Sequence, residues 1–241
     1  MIELLTVIAI VTLLAGLLLP TFRAAREQAR IAQSTSNLRQ LALANLTYET
    51  ENGRYAPATN QRNTVRWHGA RRSDGSFDPT RGYLSPYIND GGAIRVCPLL
   101  ADWELTEDSF EDGSGGYGYN GVYIGGSPGD FTQPARASRI RKSRTVMFTT
   151  TALAKREGIQ EYPFAEPPFW DFGNGPTRHR PDASVHFRAR GQALVAWMDG
   201  SVTRERPAVW GENSVYGGDP QEHQLGWFGP EEENGYWNPR R

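Results

Sequence analysis

The chain opens with MIELLTVIAIVTLLAGLLLP, an apolar run from residue 1 to 20 that carries a single charge, Glu3. At about 1.5 Å of rise per residue, a helix of this length spans roughly 30 Å, the hydrocarbon thickness of a bilayer. A helix buried in a globular core is apolar on one stripe, whereas this run is apolar on every face. Residues 1–20 are therefore expected to form a membrane-inserted helix. A cleaved secretory signal fits less well, because no Lys or Arg precedes the run and it ends in Leu-Pro rather than a small-residue cut site. Arg23, Arg26 and Arg30 follow it. Taken literally, the positive-inside rule would leave the bulk of the chain in the cytoplasm, and a basic segment ahead of Met1 would reverse that. Glu3 needs its own explanation. A charge at the centre of an inserted helix costs about 2.5–3.5 kcal/mol, and less near an end. Snorkelling to the interface would relieve it; a carboxylate kept within the apolar zone requires a cationic partner there.

The remainder of the chain is strongly polar, since the mean hydropathy is −0.57 even with the apolar front included. The net charge of −1 and pI near 6.4 give no basis for a nucleic-acid partner. One cysteine, Cys97, excludes an internal disulfide. Residues 21–53 lack proline and are rich in Ala, Leu, Arg and Gln, which extends the helix. Leu38, Leu41, Asn45 and Tyr48, with Ile31 and Ala42, recur at three or four residues and define one face able to lie on a soluble domain. Pro20 is expected to kink this helix, or to divide it into two. Asn52-Gly53 reads as its stop, with Pro57 beyond. From residue 58 to 205, short apolar runs are broken by Gly, Pro and Asn, as in strand-and-turn domains. RTVMFTT (144–150) and ASVHF (183–187) read as strands. QALVAWMDGSVTRE reads as a hairpin turning at Asp199-Gly200, a pair that favours positive φ. Residues 206–241 form a Gly/Pro/aromatic extension, with Trp210, Trp227, Phe228, Tyr236 and Trp237 available either to pack on the sheet or to sit in a disordered tail. The fold class is α+β: a long N-terminal helix packed on an antiparallel β-sheet head with long loops.

The first twenty residues closely resemble the N-terminus of type IV pilin-like proteins, the pilins and the pseudopilins of type II secretion. In that family a prepilin peptidase removes a short basic leader ending in Gly, and the new N-terminal residue is N-methylated. Met1 resembles the third mature residue, Glu3 the family's glutamate and Pro20 its helix-kinking proline, and their spacing matches. The resemblance implies that translation was assigned to an internal Met or that the chain was trimmed, and that a leader, a Gly and an aromatic are encoded upstream. It also implies a role for Glu3: pairing with the N-terminal amine of a neighbouring subunit, where each charge compensates the other at low dielectric and an offset subunit leaves both unpaired. A weaker likeness to the large-headed, planctomycete-type branch continues through LSPYI (84–88), Cys97-Pro98, YGYN (117–120) and SRTVMF. That branch ends in a His followed, after nine residues, by Asp-Gly. Here the position ten before Asp199 is Ala189, so the motif is degenerate.

The resemblance implies a filament subunit whose partners are the inner membrane, other pilin-like subunits and the prepilin peptidase. It would be a single-pass inner-membrane protein with its head in the periplasm, and later part of a periplasmic or extracellular filament. The residues supply little chemistry. His68, His179, His186 and His223 are scattered, although His179 and His186 flank a turn near Asp182 and could approach Asp199. Glu107, Asp108, Glu111, Asp112 and Glu231–Glu233 match no calcium-loop spacing. GSGGYGYNG lacks the Lys-Ser/Thr of a phosphate loop, and no Gly-x-Ser-x-Gly elbow occurs. No enzymatic activity, cofactor or metal is expected. Two rivals remain: a singly anchored periplasmic binding module that does not polymerise, and an anchored hydrolase using His179, His186 and Asp199.

Overall fold

The computed structural model describes residues 2–74, 76–88, 94–106, 113–136, 138 and 144–240, with the backbone alone at 2, 5, 11, 13–15, 17 and 18. The acidic segment 107–112 lies outside the described residues. One helix, α1, runs unbroken from Ile2 to Asn52 with Pro20 inside it, so the chain does not divide there. Fifty-one residues at about 1.5 Å each make a rod of roughly 75 Å. It ends as an αL cap: Gly53 takes φ 69° and its N–H donates to the Glu49 carbonyl at 2.8 Å.

Ile31, Ser34, Asn37, Leu38, Leu41, Ala42 and Asn45 are buried, a stripe of three- and four-residue steps facing the head. Beneath it lies a four-stranded antiparallel sheet in the order Val202–Glu205, Ala193–Trp197, Val146–Thr150, Tyr117–Tyr119. The two central strands are buried along their whole length, because α1 covers one face and the rest of the head the other. Trp67, Tyr119 and Phe148 form the aromatic centre, with Tyr119 and Phe148 stacked at 4.7 Å between centroids.

Three of the segments that carry the weaker family likeness lie under α1. Ser85–Tyr87 and Pro98–Asp102 are short 3₁₀ turns that contact the helix, each with a proline in its first turn. Cys97, buried just before the second, sets its Sγ 3.2 Å from the Ser34 hydroxyl. In the YGYN segment, the Tyr117 hydroxyl accepts from Asn37 Nδ2 at 3.2 Å. The Asn45 side chain closes the upper end of the contact by accepting the Ala56 N–H at 2.9 Å.

The hairpin forms where the sequence places it, but its turn differs from expectation. Only Gly200 has positive φ (83°); Asp199 does not. The Gly200 N–H donates to the Trp197 carbonyl, so the loop is three residues long with glycine in the left-handed position. Asp199 contributes its side chain instead, with Oδ1 accepting from the Ser201 N–H at 2.8 Å and from its hydroxyl at 2.6 Å. The two-residue turn with both central φ positive occurs at Arg190 (57°) and Gly191 (71°), where Ala189 and Gln192 exchange backbone hydrogen bonds.

The C-terminal extension is docked. Leu225–Trp227 pairs with Val185–His186 and with Val209–Trp210 in a second antiparallel sheet. Trp227, Phe228 and Trp237 are fully buried, while Trp210 stays partly exposed. Asn120 donates through Nδ2 to the carbonyls of Val146 and Trp237, both at 3.0 Å, which sews the extension to the central sheet. Residues 206–237 therefore belong to the head core.

Candidate functional site

Two regions of the molecule carry features beyond those the fold requires. The first is the free half of α1. Leu4, Val7, Ile8, Ile10, Leu19 and Phe22 are exposed large apolar side chains of one helix. Glu3 and Pro20 are exposed as well. The hydroxyls of Thr6 and Thr12 donate to helical carbonyls, Glu3 O at 2.8 Å and Ile8 O at 2.8 Å, which leaves them no demand on solvent. Among the described residues no helix is long and apolar enough to cross a membrane.

The docked half begins at a polar collar. Arg190, held at the tip of its two-residue turn, pairs with Glu27 at 2.9 Å and reaches the Ala24 carbonyl at 3.5 Å. One turn further on, Arg30 holds Asp102 through both carboxylate oxygens at 2.6 and 2.7 Å. Asp199 and Gly200 sit near the opposite end of the contact: a Cβ added to Gly200 would lie 3.7 Å from Leu46 Cδ1.

The scattered histidines take different environments. His186 is fully buried, neither ring nitrogen has a hydrogen-bond partner, and its ring meets the edge of Trp103 at 4.3 Å. Burial, with the neighbouring Arg188 and His223, pushes its pKa well below the usual imidazole range, so it is a neutral core ring. His179 is exposed, and the Asp199 carboxylate is occupied with its own turn. Asp182 accepts the Val215 N–H through both oxygens at 3.3 Å. Ala189, at the position of the family's histidine, is fully buried. Among the described residues no group of three or more His, Cys, Asp or Glu gathers as a metal site.

The second region was missed in the sequence. EYPFAEPPFW (161–170) brings Glu166 into a largely buried position, 8% exposed. Its backbone is fixed on both sides: its N–H donates to Ser184 Oγ at 2.9 Å, and its carbonyl accepts Trp227 Nε1 at 3.1 Å. Tyr162 donates its hydroxyl to Glu166 Oε1 at 2.7 Å. Burial raises the Glu166 pKa to about 7 against the opposing Tyr162 hydrogen bond, with a smaller push from Asp182. Asp182 itself is raised by burial. Tyr162, Glu166 and Trp170 line two clefts, of about 460 and 260 Å³. The paired Pro167-Pro168 and four aromatics in ten residues were the signal available in the sequence.

The fold and these two regions define an α+β protein built as an apolar rod on an ordered head. No protein-family model, curated protein or solved structure matches the chain.

Proposed function

We propose that the protein is a structural subunit of a type IV pilus-like or type II secretion pseudopilus filament, held in the bacterial inner membrane by residues 1–20 before assembly. The observation that carries this reading is α1 itself. One unbroken helix is docked on the head along its second half, while the described apolar side chains of its first half are exposed. Such a surface is stable only against lipid or against other copies of the same helix. In the filament, rods pack side by side and Glu3 meets the N-terminal amine of a neighbour, which sets the axial register. The prepilin peptidase acts on the precursor, and the head faces the periplasm.

The test uses the chain expressed with the sequence that precedes it in its gene. Cys97 is buried, so a cysteine introduced at exposed Ile8 is the accessible thiol. Ile8→Cys is expected to cross-link between chains in cells that contain the assembly machinery, and Glu3→Ala in that background to reduce the cross-linked ladder while membrane association persists. A chain that never cross-links is the non-polymerising binding module. A Glu3→Ala chain that assembles like the parent removes the register role.

A further inference from the structure

We infer that the head carries a binding site for a neutral saccharide in the 460 Å³ cleft beside Tyr162, Glu166 and Trp170. This goes beyond the filament reading and does not depend on it. The volume lies in the roughly 300–1,000 Å³ range of small-ligand clefts. The walls supply flat apolar faces: Phe131 is 38% exposed at the rim, and Trp170 stacks on Phe172 at 6.0 Å with 19° between the planes. A sugar ring presents an apolar face of C–H groups and a hydroxyl edge, and aromatic walls with polar groups between them answer both.

Charge decides the ligand class. No Lys or Arg is among the described residues lining this cleft, so nothing there recruits an anion. A cation finds one ionised carboxylate at the rim, Asp130, held below the usual carboxylate range by its hydrogen bonds to Thr132. Asp130 spends its Oδ1 on the Thr132 N–H (2.9 Å) and hydroxyl (2.7 Å). The Arg66 guanidinium already covers the Phe164 ring at 5.2 Å. Glu166, disfavoured as an anion by its burial, is suited to donate to one ligand hydroxyl and accept from another. Gln61, on the rim, offers an amide with both capacities. Aromatic faces, amide and hydroxyl groups and a rim carboxylate already half committed to Thr132 fit a polyhydroxylated, uncharged ring.

The full-length protein, held in a detergent without a sugar headgroup, is titrated with maltohexaose, cellohexaose and chitohexaose, with choline as the cationic control, and read by tryptophan fluorescence and calorimetry. At least one hexasaccharide is expected to bind with a Kd on the order of 0.1–1 mM. Phe131→Ala and Gln61→Ala, both at the exposed rim, are each expected to weaken it about tenfold with unchanged circular dichroism. Trp170→Ala is expected to abolish it; if that variant does not fold, the two rim variants decide. The assignment falls if none of the three sugars binds up to about 10 mM. It falls equally if choline binds in their place, or if binding is indifferent to both rim substitutions.

Discussion

The two halves of α1 share one continuous hydrogen-bonded helix and differ in what their side chains ask for. In the second half the apolar residues keep to one stripe, and the polar residues within it are each met by the head: Ser34 by Cys97, Asn37 by Tyr117, Asn45 by the Ala56 N–H. Those polar contacts fix the height and rotation of the helix on the sheet, which burial of leucines alone would leave adjustable. In the first half the threonines turn inward to their own carbonyls, and the described large apolar side chains, Leu4, Val7, Ile8, Ile10, Leu19 and Phe22, are exposed. Nothing there specifies a unique neighbour except the single charge. A helix can thus be bound tightly to its own domain at one end and remain a general apolar surface at the other, with the collar of Arg190–Glu27 and Arg30–Asp102 marking the change.

That contrast can be broken most directly by truncating one aliphatic side chain on each side. Leu38→Ala empties a fully buried site and is expected to cost the head about 3 kcal/mol in urea unfolding, whereas Ile8→Ala is expected to stay within about 0.5 kcal/mol. Equal losses would mean that the first half also packs on the head. The next effect belongs to the head and comes from its buried carboxyl, Glu166. Folding raises Glu166 from its ordinary 4.5 to about 7, so between those values the folded protein holds a proton that the unfolded chain gives up. Stability is therefore expected to fall by about 2 kcal/mol as pH rises from 4.5 to 7, and this contribution levels off above. Asp182, also raised by burial, adds a slope of the same sign. Glu166→Gln should flatten the dependence, and denaturant midpoints across that range read it. The smallest effect lies at the collar. Both members of the Arg190–Glu27 pair are well exposed, so Arg190→Ala is expected to cost no more than about 0.5 kcal/mol. It should still quicken amide exchange from Ala24 to Glu27 relative to residues 31–52, which would show the docked half fraying from its junction.

The features legible in the sequence were those set by local spacing. The buried stripe on α1 follows from three- and four-residue steps, and Gly53 ends the helix because only the chain's backbone conformation is needed to read that signal. The Asp199-Gly200 hairpin was legible as a turn and not as a turn type. The Asp199 side chain rewards a loop with one left-handed residue, while the tighter form went to Arg190-Gly191, whose arginine gave no hint of it. Glu3 stood out because a charge in an apolar run is conspicuous. Glu166 did not, since it is one acid among 27 Asp and Glu, and its burial depends on Ser184 and Trp227, 18 and 61 residues away. The docking of residues 206–237 was legible only as an option offered by their aromatics: its strands are two and three residues long, too short for a period, and form by pairing with each other and with Val185–His186.

The seam between Asn120 and Trp237 bears on the order in which the molecule is made. Asn120 leaves the ribosome early, yet one of its two acceptors arrives 117 residues later. Trp237 also donates its indole N–H to the Ala165 carbonyl, so two distant stretches wait on the same residue, one on its backbone and one on its side chain. While translation proceeds, the apolar leading half of α1 is already made, and the domain behind it cannot yet solidify. A message cut short of codon 237 would therefore yield a complete α1 above a central sheet that lacks one of its closing partners.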